Sequence, residues 1–181
     1  MRPILVEHLE LVTKNVSKDL TEKFQSLDSN ITGVHYMHGH PIEVINKLGQ
    51  KDKSNNLMFD KYPLIALFQD FGERNTRDFG ISEATINIIL ARATRPDYTA
   101  EERYNYNFKP FLYPMYDRLL SWIERSGNFL VYNKNLIQHE KIDRLFWGNS
   151  GLYGNKANVF NDWIDCIEIK NMRLRFYNNK C

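Results

Sequence analysis

Three histidines, His35, His38 and His40, stand close together in the segment HYMHGH. Imidazoles at this spacing could ligate zinc or nickel. On a regular strand His35 and His38 face opposite sides, so convergence needs a turn at Gly39 and a fourth ligand from far along the chain. A polar turn beside a strand is the plainer reading. A second constellation is Glu168-Ile169-Lys170, with Asp143, Asp162 and Asp165 upstream. Two carboxylates that hold a divalent ion, with a lysine two positions beyond one of them to help activate water, are the parts of many metal-dependent nucleases. The alternative is a charged outward face on an edge strand, which discourages aggregation.

Other chemistry is hard to place. There is no glycine-rich phosphate loop, no GxSxG elbow, and no cysteine in a helpful context near a histidine. The two cysteines, Cys166 and Cys181, lack CxxC spacing and read as reduced thiols of a cytosolic protein. The residue pattern therefore points to no catalytic residue, resident metal or cofactor.

The elements that would position these residues follow from periodicity. Leu5, Leu9, Val12, Val16, Leu20 and Phe24 form one apolar stripe, which predicts a helix over 3–27. ITGVHYM (31–37) and YPLIALF (62–68) read as short strands. Residues 82–94 alternate with period two, as a half-buried strand does. Thr99-Ala100-Glu101-Glu102 fits a capping box. A long central helix then continues through Tyr104, Phe108, Leu112, Met115, Leu119 and Trp122 at helical spacing, and Gly127 stands where a terminating glycine belongs. Pro110 and Pro114 predict a kink or split near 109–114. Phe129–Tyr132 reads as a strand. In DWIDCIEIKNMRLRF (162–176) the inward parity switches near Lys170-Asn171, which implies a bulge or tight bend. Exposed loops are expected near 47–56, 69–80 and 149–158. The sum is one domain, 1–181, of the α+β class. Its expected architecture is an antiparallel sheet flanked by an N-terminal helix and a long, proline-kinked central helix.

Composition narrows the function classes. With 24 basic and 22 acidic side chains among 181 residues, a net charge of +2 argues against a nucleic-acid binder driven by a strong global field. A content of 13% aromatics argues against disorder. No apolar run is long enough to span a membrane, and the opening residues MRPILVEHLELV meet charge too early for a secretory signal. The stretch YNYNFKPFLYPMYDRLLSW is apolar around more than one face of a helix. Either the sheet and the N-terminal helix enclose it, or part of it meets a neighbouring subunit.

The order of segments YPLIALF, FGERNTRDFG, ATINIILARAT, TAEERYNYNFKPFLYPMYDRLL, RLFWG and DWIDCIEIKNMRLRF resembles the tail-terminator, tail-completion or neck proteins of tailed bacteriophages. It is most similar to versions found in prophages of Bacteroidetes-type bacteria, and the likeness covers roughly residues 57–176. The resemblance implies a virion structural protein without enzymatic activity or cofactor, assembled in the host cytoplasm. It implies a homo-oligomeric ring, commonly a hexamer, that caps the tail tube or joins tail to head. The partners would be tail tube protein and head–tail connector proteins, with DNA passing through the lumen without tight binding. A ring needs two different patches that meet. The candidates are Phe111, Tyr113 and Tyr116 on the aromatic helix together with an edge strand, while Arg74 and Arg77 would face the lumen or a partner ring.

Overall fold

The computed structural model describes residues 4–44, 61–76, 80–147 and 163–178. Helix α1 (Ile4–Leu27) leads into strand β1 (His35–Gly39). Strands β2 (Leu64–Phe68), β3 (Glu73–Thr76) and β4 (Ile81–Ala93) follow. A short α2 (Ala100–Arg103) runs without a break into a π-helix (Tyr104–Leu112) and then α3 (Tyr113–Arg125). Strands β5 (Glu140–Arg144) and β6 (Ile164–Tyr177) complete the fold. The six strands form one sheet in the order β1-β2-β4-β6-β5, with β3 hairpinned onto the early half of β4.

The class is α+β, with the N-terminal and central helices packed on the sheet. The sheet itself is mixed. Every pairing is antiparallel except β1 with β2, which run parallel. The expected antiparallel sheet thus carries one parallel pair at its β1 edge. A tight hairpin cannot join parallel neighbours, and the connection from residue 40 to residue 63 gives the chain room to return in the same direction.

All six residues of the predicted α1 stripe are buried. They join Ile65, Leu67, Ile86, Leu90, Ile167 and Leu174 of the sheet, and Phe108, Leu112, Met115 and Leu119 of the central helix, in one core. The buried side of the aromatic helix is thus covered by its own sheet and α1, while Tyr104 and Tyr106 stay exposed. Trp122 Nε1 adds a bond to Asp19 Oδ2 of α1 at 2.9 Å. Ahead of β1, Gly33 permits a close crossing. Ser17 Oγ of α1 accepts from Val34 N at 2.8 Å, and a Cβ at residue 33 would stand 2.7 Å from that oxygen.

The prolines do more than kink the helix. In α geometry the ring of Pro110 would collide with the carbonyl four residues back, and its missing N–H would break the ladder. The chain instead widens into π turns from Tyr104 to Leu112 and returns to α geometry at Tyr113, with Pro114 in the first turn. The Thr99–Glu102 capping box forms as expected, and Gly127 takes the left-handed conformation (φ 71°) that ends α3.

Strand β6 is continuous, with a bulge where the parity switches. Ile86 faces Met172 and Ile88 faces Ile169, so Lys170 and Asn171 together oppose Asn87. Asn171 adopts φ 54°, and its N–H donates to Asn87 Oδ1 at 3.0 Å. Phe129–Tyr132 is not a strand; one bridge, Phe129 to Phe176, is all that forms. The expected loop 69–80 contains β3. The expected loops 47–56 and 149–158 lie outside the described residues.

Candidate functional site

Each candidate residue now has a place. Phe111 is buried, at 5% exposure. Its ring lies 4.9 Å from that of Phe24 and under the Arg92 guanidinium at 4.5 Å. It therefore packs chiefly within its own chain and reaches the surface only as one wall of a hollow beside the π-helix. Tyr113 and Tyr116 are half-buried and held by edge strand β5 and the residue before it. The Tyr113 hydroxyl donates to Asp143 Oδ2 at 2.8 Å, and Lys141 Nζ reaches Asp143 Oδ1 at 2.5 Å while lying 4.7 Å from the Tyr113 ring. Since a carbonyl only accepts, the 2.7 Å contact of His139 Nδ1 with Ile137 O places a proton on Nδ1. Nε2 of the neutral ring then accepts from Tyr116 Oη at 2.6 Å. These contacts fasten β5 to α3.

Burial, the bond from the hydroxyl to Asp143 and the charge of Asp143 push the Tyr113 phenol up from 10.0 to about 12. Below pH 10.0 the folded and unfolded chains both hold this proton. Between that value and about 12 the unfolded chain loses it first, so stability falls across this window as pH rises. The stability advantage of wild type over Tyr113→Phe is therefore expected to shrink between these pH values, as read by urea midpoints. A gap that stays constant or widens would show that the phenol is not held neutral.

The nuclease constellation does not converge. Ile142 faces Glu168 and Asp143 faces Ile167 across the β5–β6 pair, so Asp143 and Glu168 project from opposite sides of the sheet. Glu168 is already occupied. Its Oε2 accepts from Arg144 Nε at 2.9 Å with Lys170 Nζ at 3.5 Å, and its Oε1 accepts from Trp147 Nε1 at 2.7 Å. Burial alone would raise this carboxyl, but those partners hold it below the ordinary range. Asp162 lies outside the described residues.

Asp165 is taken up by a buried network that sequence spacing did not reveal. Its Oδ1 accepts from Arg103 Nη1 at 2.8 Å and its Oδ2 from Asn107 Nδ2 at 2.7 Å. Arg103 also donates to Thr94 Oγ1 and to the carbonyls of Arg95 and Tyr98, and stacks 3.5 Å from the Phe146 ring centroid. Residues 103 and 107 are helical neighbours on one face, so α2 and the π-helix are clamped together onto β6 and the 94–98 turn.

The histidines also diverge. His38 Nδ1 meets Gln69 Oε1 at 2.8 Å, His35 Nε2 meets Thr32 Oγ1 at 3.3 Å, and His40 Nδ1 accepts from Ile42 N at 3.3 Å. Among the described residues no group of three His, Cys, Asp or Glu side chains could hold a metal ion. Cys166 is buried, and burial pushes its thiol well up, so it packs as a small apolar side chain. Cys181 lies outside the described residues.

What remains is a surface. The sheet face away from the helices divides at the bulge. One half packs Met37, Leu64, Ala66, Ile89 and Cys166 into a second core, with Phe68 stacked near Trp147. The other half is open. Arg74 of β3, Glu83 of β4 and Arg175 of β6 form a cross-strand row, flanked by Thr85 and Arg173, and all five are exposed. Three guanidinia to one carboxylate make this row positive. Arg77 lies outside the described residues.

Two hollows meet on this face at Glu83 and Arg173. One, of about 510 Å³, runs to the β3 hairpin. The other, of about 340 Å³, is walled by residues 130–138 and by Arg175. In that wall Tyr132 is 95% exposed and Leu136 is 71% exposed. The wall is fixed to α3 by Lys134, which reaches Asp117 Oδ1 at 2.5 Å and Ser121 Oγ at 3.1 Å. Only Arg74 of these was singled out by its sequence. Tyr132 ends what reads as a strand, where an apolar residue is expected to be covered.

A third hollow, about 680 Å³, lies at the other end of β4. The end of α1, Arg92, Thr94, Arg95, Tyr98 and the π-helix wall it. Arg92 Nη2 bonds Asp28 Oδ2 at 2.6 Å, and Arg95 Nη2 bonds Asp97 Oδ2 at 3.0 Å. Burial raises the Asp28 carboxyl, but the bonds from Arg92 and Asn30 outweigh it and hold the group below its usual range.

No helix among the described residues is long and apolar enough to cross a membrane. Neither protein-family models nor curated protein sequences match the chain.

Proposed function

We propose that this protein is a structural subunit of the neck or tail terminus of a tailed bacteriophage, forming a homo-oligomeric ring that caps the tail tube or joins tail to head. The observation that carries the reading is the uncovered half of the sheet. An arginine-bearing face is bordered by a protruding tyrosine and leucine, and a second hollow of different character lies at the far end of the same strand. Tyrosine and arginine are enriched at protein interfaces, where they supply contact area and directed bonds. Two unlike patches on one chain are what a head-to-tail ring requires. The order of sequence segments supports the same role, and it supports work by shape rather than by catalysis. The near-balance of charge suits a conduit that DNA traverses without being gripped.

On this reading the partner is the tail tube protein of the same phage, and the test uses it. Tube polymerisation in its presence is expected to give shortened tubes, with a ring of this protein at one end by electron microscopy. Tubes that grow to unchanged length with bare ends would overturn the reading.

A further inference from the structure

Resting on that ring reading, we infer that the open arginine face of one copy receives the cleft end of the next. Tyr132 and Leu136 enter the hollow beside the π-helix, and Arg173 and Arg175 face Glu101 and Glu102. Two independent observations meet here. The first is charge. At the cleft end Arg92 is paired with Asp28 and Arg95 with Asp97, so the surplus charge belongs to Glu101 and Glu102 in the first turn of α2. At the other end Arg173 and Arg175 wall the smaller hollow against the single carboxylate of Glu83, a surplus of the opposite sign, while Asp70 and Glu73 offset Arg74 toward the β3 hairpin.

The second is shape. Tyr132 and Leu136 project with almost nothing covering them. The hollow of about 680 Å³ offers Leu27, Tyr98, Tyr106, Pro110 and Phe111 as apolar walls. That volume lies in the range of clefts that take drug-sized groups, room enough for two side chains. Tyr98 and Tyr106 approach each other at 5.4 Å at this end, where a further aromatic ring can stack edge to face.

The two patches lie at opposite ends of β4, whose 13 residues span roughly 40 Å. They also lie on opposite sides of the sheet, since Arg92 packs over Phe111 on the helix side and Arg175 stands on the open side. One copy cannot satisfy both patches by itself. A second copy can, and repetition of the contact leads head to tail.

The experiment is a set of charge reversals read by sedimentation across a concentration series, with folding checked by thermal melting. Arg173→Glu with Arg175→Glu, or Glu101→Arg with Glu102→Arg, is each expected to weaken self-association on the order of tenfold or more. An equimolar mixture of the two variants, and the chain carrying all four changes, are expected to regain it. Tyr132→Ser is expected to weaken association without lowering the melting temperature. Association that ignores both reversals overturns this assignment and leaves the ring reading standing. A wild-type chain that stays monomeric at every concentration overturns the assignment too, and the tube experiment then decides the ring reading on its own.

Discussion

Asp165→Ala is expected to lower folding stability by about 3–5 kcal/mol, the cost of leaving a buried charge without its partner. Asp165 and Arg103 are 0% and 1% exposed. In the variant the Arg103 guanidinium stays between the Phe146 ring and the carbonyls of Arg95 and Tyr98, with no carboxylate to offset its desolvation. Asn107 Nδ2 keeps Thr94 Oγ1 at 2.9 Å and loses the aspartate. For a domain of this size the melting temperature is expected to drop on the order of 10 °C. Arg103→Met combined with Asp165→Leu is expected to recover most of the loss, because removing both charges removes the desolvation cost with them. Urea unfolding of the three variants measures this. A loss under about 1 kcal/mol for Asp165→Ala would mean that water reaches the pair and that the clamp does not hold the π-helix.

The parts of the fold that were legible in the sequence are those with one buried face. The α1 stripe and the alternation of β4 each follow from a single period, and the bulge at Asn171 from a change of parity. The elements that were missed lack such a signal. Glu140–Arg144 is charged along most of its length because it is an edge strand, so nothing in its composition reads as β. Phe129–Tyr132 has strand composition, but only Phe129 is buried and Tyr132 stands in solvent. The π-helix could be anticipated only as a disturbance at Pro110. Arg103 and Asp165 meet across 62 residues, and no local pattern links them. The same holds for the candidate faces. Arg74 is visible as a charge in a turn-rich segment, but its row with Glu83 and Arg175 exists only through register.

Phe111→Ala separates the two roles an aromatic residue on this helix can have. The ring is packed against Phe24 and capped by Arg92, so its removal is expected to cost about 3–5 kcal/mol, as large-to-small changes of buried aromatics do. Most of that is lost burial and the cavity left behind, since α1 and the π-helix are each held by other contacts and cannot close fully over the gap. The Arg92 guanidinium loses the face of the ring but keeps Asp28, so the ion pair survives in a wetter setting. Below its lowered melting temperature the variant is expected to keep the self-association of wild type within a fewfold, because only one wall of the hollow recedes. Tyr132→Ser is expected to behave in the opposite way, with stability kept and association lost. If Phe111→Ala instead melts like wild type while abolishing association, then the ring is not core but an anchor of the contact between copies.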